Sequence, residues 1–195
     1  NSVKSAVIIT TDKVYEDKGW IYPYRENDSL GGYDPYSSSK ACSELITQAY
    51  SYSYLKNRGI NIATARAGNV IGGGDWGKDR LVPDVVNACI KQQNISLRYP
   101  NALRPWQHVL EPLSGYLILA QALYEQGSAY ASGWNFGPRD EDNRSVQEVI
   151  DAACRVTGKH IAVQEAPRRP GDPARLVADS RLIVKNLGWV PRFSG

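Results

Sequence analysis

Two short apolar runs, Ser5-Ala-Val-Ile-Ile-Thr-Thr11 and Asn61-Ile-Ala-Thr-Ala-Arg66, constrain this chain more than any other feature of it. Both are short and rich in β-branched residues, and neither shows the strict polar alternation of a strand with one face in water. Strands covered on both faces belong to parallel sheets, and a parallel pair needs a long crossover between its members. The intervening residues supply one. After a loop over 12–32, Pro35 opens a helical pattern through Lys40, Leu45, Ile46, Ala49 and Tyr50 that ends near Gly59. A proline in the first turn and a glycine past the end are the expected punctuation. Downstream, helical patterns at 83–92 and 111–126 flank a strand at 95–99, and Trp134-Asn-Phe136 is a further strand. A serine-capped amphipathic helix at 145–157, a strand at 161–164 and a short helix at 179–187 complete the pattern. Strands alternating with helices predict an α/β fold built on a parallel sheet.

Composition narrows the function classes. With 195 residues, 42% hydrophobic and 10% aromatic, the chain has material for a core, so disorder is excluded. No apolar run reaches the roughly 18–20 residues that cross a bilayer, so no membrane partner is expected, and no signal-peptide pattern opens the chain. A net charge of +3 gives no footprint for nucleic acid. Cys42, Cys89 and Cys154 have no paired spacing and read as thiols of a reducing compartment, the cytoplasm. His108 and His160 lack the clustered partners of a metal site, and His108 reads as a structural histidine on a strand. The chain opens on Asn1 and contains no methionine. It is therefore expected to be the later part of a longer polypeptide.

Gly72, Gly74 and Gly77 satisfy G-x-G-x-x-G, but a dinucleotide loop must open a helix whose amides meet the pyrophosphate. Here Pro83 delays the helix, and Leu97 and Arg98 stand where an acid is required. A P-loop through Gly72, Gly77 and Lys78 fails as well, because Asp79 replaces the magnesium-binding hydroxyl. The stretch 68–77 is read as a glycine-rich loop.

Tyr36 and Lys40 sit four apart near a helix start, on one face, where an ammonium favours the phenolate. Thr10-Thr11-Asp12-Lys13 ends the first strand, at the edge where open α/β sheets bind ligands. Together these motifs resemble the extended short-chain dehydrogenase/reductase family, over nearly the whole chain. The resemblance sharpens toward the sugar-nucleotide 4,6-dehydratases, and the Thr-Asp-Lys form toward those acting on CDP-glucose. Arg66-Ala-Gly-Asn-Val-Ile-Gly-Gly-Gly-Asp-Trp76, Arg104-Pro-Trp-Gln-His-Val109 and Trp134-Asn-Phe-Gly-Pro138 support it.

The resemblance implies the later part of a Rossmann-type doubly wound sheet plus a smaller α/β substrate-binding lobe. Residues 1–68 would belong to the NAD-binding domain and 69–195 mainly to the lobe, with about 104–138 returning to the sheet. The upstream Gly-rich NAD loop would lie outside this chain, so the isolated piece is expected not to hold NAD. The implied reaction is a redox-neutral elimination with NAD as a temporary hydride store. Tyr36 would take the sugar 4-hydroxyl proton, Lys40 would tune Tyr36 and hold the nicotinamide ribose, and Thr11 would bond the C4 oxygen. Asp12 and Lys13 would share the acid and base roles at C6 and C5, in an order left open. Gly68 would contact the cofactor. Asn69, Arg80, Arg104, Arg169 and Asp172 would hold a nucleotide sugar, CDP-glucose or a relative. A homodimer or higher homo-oligomer is implied. A C4 epimerase of the same family, or a non-catalytic nucleotide-sugar-binding fragment, remain as alternatives.

Overall fold

The structure, a computed structural model, describes residues 3–77, 79–167 and 173–193. The two opening runs become β1 (Ser5–Ile9) and β2 (Asn61–Ala67), paired in parallel from Ser5 against Asn61 to Ile9 against Ala65. Between them runs α1 (Pro35–Tyr50). Asp34 caps it, Oδ1 accepting from the N–H groups of Tyr36 and Ser37, and Pro35 occupies the first turn, where its missing N–H costs nothing. α1 ends before Gly59. A wide turn at Ser51–Leu55 and a tight one at Lys56–Arg58 carry the chain on, and Gly59 closes them at φ 66°. Ser51-Tyr-Ser-Tyr54 is a weak helix former, which explains the early loss of regular geometry.

The rest of the chain forms β3 (Asn69–Ile71), α2 (Leu81–Lys91), β4 (Ile95–Leu97), β5 (Leu103–His108) and α3 (Leu110–Gln126). Then follow β6 (Gly133–Phe136), β7 (Asn143–Ser145), α4 (Val146–Thr157), β8 (Val163–Glu165) and α5 (Arg181–Leu187). β6 joins β2 in parallel, giving the order β1-β2-β6. β5 centres a second sheet, parallel to β3 and antiparallel to β7, and β4 pairs with β8 in parallel.

β2 decides how the layers pack, because its side chains alternate between two faces. Ala63, Ala65 and Ala67 share a core with Leu119 and Leu123 of α3, and with Trp134, Phe136 and Trp189. Thr64 and Arg66 bond instead to Glu44 of α1. The sheet is thus wound on both faces, α1 on one and α3 on the other. Small residues on β2 let α3 approach, and Gly115 sits so close to the Phe136 ring that a Cβ would lie 2.4 Å from it. A second apolar cluster joins Ala41 of α1 to Val14, Tyr15, Tyr24, Leu176 and Ala178. A third lies among α2, β4 and α4, around Val85, Ile95 and Ile150.

The α/β reading holds, with local corrections. Part of the expected 68–77 loop is strand β3, held by β5 from Asn69 against Trp106 to Ile71 against His108. β7 had no signal in three polar residues, and its pairing to β5 makes it a strand. The strand expected at 161–164 is shifted to Val163–Glu165 by its register with Ile95–Leu97. α2 begins at Leu81, so Pro83 lies inside its first turn. β1 was expected to be covered on both faces, yet Ile8 and Ile9 are 37% and 47% exposed. Among the described residues β1 has β2 on one side only, as the edge of its sheet.

Candidate active site

The end of β1 turns sharply, and that turn builds the site. Thr11 is extended and caps a single tight turn at Asp12–Val14, its Oγ1 accepting from the Lys13 N–H at 3.4 Å and donating to Asp12 Oδ1 at 3.2 Å. Asp12 is buried, 2% exposed, and among the described residues its Oδ2 has no hydrogen-bond partner. A carboxylate without water around it is disfavoured. Burial therefore pushes Asp12 up to about 6, against the smaller opposing pull of the Thr11 hydroxyl and of Lys13 and Arg104. The pocket around it is tight: a Cβ on Gly68 would lie 2.5 Å from Pro105 Cγ and 2.8 Å from Asp12 Oδ2. Gly68, expected to contact the cofactor, is thus placed where it closes the wall behind Asp12.

Lys13, next in sequence, is exposed, and its Nζ stands 5.7 Å from the Tyr36 ring centroid. Tyr36 is the second residue of α1 and is 52% exposed. Lys40 lies one turn further along the same stripe and is half-buried. The helix start is locked by Asp34, whose Oδ2 accepts from Ser37 Oγ at 2.5 Å, and the Ser37 bonds hold its carboxyl below the usual range. Thr11, Asp12, Lys13 and Tyr36 are therefore brought to one place, with Lys40 beside them on α1.

The expected substrate-binding residues are dispersed around this centre. Asn69 opens β3, half-buried. Arg104 lies on β5, where Nη1 donates to the Leu103 carbonyl at 2.8 Å and Nη2 to that of Pro173 at 2.9 Å. Its charge is close enough to act on Asp12. Arg80 is exposed and paired with Asp75 at 2.8 Å, within the loop before α2. Arg169 and Asp172, like Lys78, lie outside the described residues. His108 Nδ1 accepts from the Leu110 N–H at 3.3 Å and its ring meets Phe193, a structural placement at the start of α3. Among the described residues no group of three His, Cys, Asp or Glu side chains gathers to hold a metal. No helix among them is long and apolar enough to cross a membrane.

One residue that matters escaped sequence reasoning. Glu44, four residues after Lys40, is 4% exposed and accepts four hydrogen bonds. Burial alone would raise its carboxyl, but Arg66 and the hydroxyls of Thr10 and Thr64 outweigh it and hold Glu44 below its ordinary value. Arg66 also donates to Tyr15 Oη at 2.9 Å, and Tyr15 donates to Asn135 Oδ1 at 2.6 Å. The available signal was an arginine inside an otherwise apolar strand, which demands a buried acid.

Comparisons with known proteins follow from this geometry. Residues 2–195 match the family described as GDP-mannose 4,6 dehydratase. A CDP-glucose 4,6-dehydratase of Salmonella typhimurium is 44% identical over 98% of this chain and 55% of its own length. A UDP-glucose 4-epimerase of Halalkalibacterium halodurans is 28% identical over 99% of this chain and 60% of its own. The chain spans a little over half the length of these relatives. Among solved structures, a dTDP-glucose 4,6-dehydratase from Streptomyces venezuelae with NAD bound superposes at a TM-score of 0.81, with 24% identity, 97% of this chain and 56% of the other. A UDP-glucose 4-epimerase from Stenotrophomonas maltophila, also with NAD, gives 0.85 at 23% identity, 98% of this chain and 60% of the other. The fold is that of these Rossmann-type proteins.

Proposed function

The chain belongs to the GDP-mannose 4,6-dehydratase family, and on that premise we propose that it forms the catalytic part of a nucleotide-sugar 4,6-dehydratase acting on CDP-glucose. One observation carries the reading: a buried carboxyl with one unpartnered oxygen, Asp12, directly follows Thr11 and lies next to the Lys13–Tyr36 contact. A carboxyl titrating near 6 is a competent proton donor at neutral pH, which elimination of a hydroxyl needs and C4 epimerisation does not. The 44% identity to the Salmonella dehydratase favours the cytidine nucleotide.

Each residue then has a task. Tyr36 takes the proton of the sugar 4-hydroxyl, and Lys40, one turn along, holds the nicotinamide ribose. Thr11 donates a hydrogen bond to the C4 oxygen as it gains carbonyl character. Asp12 protonates the departing 6-hydroxyl. Lys13, when neutral, takes the C5 proton. Arg104 and Asn69 hold the diphosphate and sugar, Arg80 adds a polar substrate contact, and the resemblance assigns Arg169 to phosphate and Asp172 to the nucleotide ribose. The family implies NAD, and the donor set fits the nicotinamide end: a phenol and an ammonium one turn apart at the open start of α1. When bound, NAD supplies the reversible hydride acceptor that makes the reaction redox-neutral. Among the described residues the loop after β3 offers no pyrophosphate cradle, because α2 opens only at Leu81.

Separate apolar clusters support a division near residue 68 into a sheet part and a smaller lobe, with 104–138 returning to the sheet. Exposed Leu45, Ile46 and Tyr50 on α1 suit contact with a second copy, and unpaired thiols at Cys42, Cys89 and Cys154 suit the cytoplasm. The test is product analysis with CDP-glucose and NAD. A 4-keto-6-deoxy sugar, read by its absorbance in alkali, supports the reading, and a C4 epimer without that product overturns it in favour of the epimerases.

A further inference from the structure

We propose that Glu44 is a positioning residue for this reaction, fixing the height of the Tyr36–Lys40 helix against the Thr11–Asp12 turn; the inference rests on the roles assigned above to Tyr36 and Asp12. Tyr36, Lys40 and Glu44 are spaced four apart on α1, so each step advances about 6 Å along the axis with little rotation. Glu44 therefore stands two turns below Tyr36, at the level where β1 ends. Each of its oxygens has two donors. Oε1 accepts from Thr10 Oγ1 at 2.5 Å and Arg66 Nε at 2.9 Å, and Oε2 accepts from Thr64 Oγ1 at 2.5 Å and Arg66 Nη2 at 2.8 Å.

These donors lead directly to the catalytic turn. Thr10 is the residue before Thr11, and its N–H is bonded to the Ala65 carbonyl at 2.8 Å. Tyr15, just past the turn, accepts from Arg66. The segment holding Asp12 is thus gripped on both sides by groups that meet at Arg66 and Glu44. Neither grip touches the reacting atoms. A carboxylate saturated by a fork-shaped guanidinium and two hydroxyls admits one helix height, whereas an apolar contact would let α1 slide. Buried ion pairs are weak stabilisers against apolar replacements, so setting the register of two catalytic elements is the role this one suits.

The experiment uses the intact enzyme that carries these residues, with Thr10→Val and Glu44→Gln. Thr10→Val keeps the shape and the Glu44–Arg66 pair while cutting the link to the turn. It is expected to lower kcat about tenfold or more with KM for CDP-glucose within twofold, with a fall in melting midpoint smaller than that of Glu44→Gln because three of the four donors remain. Glu44→Gln is expected to lower kcat further, with partial recovery in Glu44→Asp, which restores the charge. Folded Thr10→Val with wild-type kcat, or with its whole effect in KM, overturns the proposal even if Glu44→Gln fails to fold. Absence of dehydratase product from the unmodified enzyme defeats the functional reading itself, a result separable from either variant's.

Discussion

The two ends of one stripe on α1 differ in how completely the polar groups beside them are satisfied. Two turns along from Tyr36, Glu44, Arg66, Thr10, Thr64, Tyr15 and Asn135 form a buried network in which the Glu44 carboxylate alone accepts four bonds. At the helix start, Asp12 is equally buried but keeps one oxygen without a partner, and Tyr36 lies half in solvent. Both regions hold charge in low dielectric. The first spends it on other protein groups and so fixes geometry. The second leaves one oxygen unpaired among the described residues, which costs stability locally.

The sharpest way to break this contrast is Tyr36→Phe. Tyr36 packs into no core cluster, so the melting midpoint should stay where it is. Loss of the general base should cost about 10³-fold in kcat for dehydration. A folded, fully active Phe variant would remove Tyr36 from the chemistry and leave the region at the helix start without a function.

In the Glu44 network the expectation inverts. Arg66→Met should strand Glu44 as an unpaired buried anion and cost about 3–5 kcal/mol, measured as a fall in the urea midpoint. Burial also pushes the Tyr15 phenol up against the opposing pull of Arg66, so without Arg66 Tyr15 stays neutral and adds no second anion. A variant as stable as the parent would mean that the network is ornamental and that the positioning argument has no anchor.

These two regions were not equally legible in the sequence. Thr11, Asp12, Lys13, Tyr36 and Lys40 are short-range signals: a strand end, a helix start and a four-residue spacing, all of which local physics places. The α/β order was readable for the same reason, because periodicity is local. Glu44 with Arg66, and Tyr15 with Asn135, are pairings across 22 and 120 residues, set by sheet register that no window of sequence contains. Strands β3 and β7 were missed on similar grounds, since these polar or mixed three-residue stretches become strands only through their partner β5. Gly68 is expected from the resemblance to contact the cofactor, and the close approach of Pro105 and Asp12 to its backbone is a further demand for glycine that no window of sequence shows.

Asp12→Asn sharpens the contrast through pH. With its carboxyl raised from 3.8 to about 6, the folded protein holds a proton that the unfolded chain has released between these values. Stability therefore falls as pH rises through that window, by an amount on the order of 3 kcal/mol once pH exceeds 6. Asn carries no charge to bury. The variant should match the parent near pH 4 and exceed it near pH 8, seen in urea midpoints across pH, while losing about 10²-fold in kcat. An Asn variant that is less stable than the parent at pH 8 would mean that Asp12 is structurally satisfied after all.

The smallest effect should come from a charge that is satisfied but exposed. Arg80 is paired with Asp75, whose carboxyl is held low first by the Gly77 N–H and then by Arg80. Water screens such a pair, so Arg80→Ala should leave the melting midpoint unmoved, unlike Arg66→Met. If Arg80 turns to the diphosphate on binding, it contributes equally to the bound sugar and to the transition state. KM for CDP-glucose should then rise about fivefold with kcat unchanged, and the rise should shrink in high salt as the phosphate charge is screened. A fall in kcat at saturating substrate would place Arg80 with Tyr36 and Asp12. Unchanged KM would make it an ordinary surface charge, and would leave diphosphate recognition to Arg104 and Arg169.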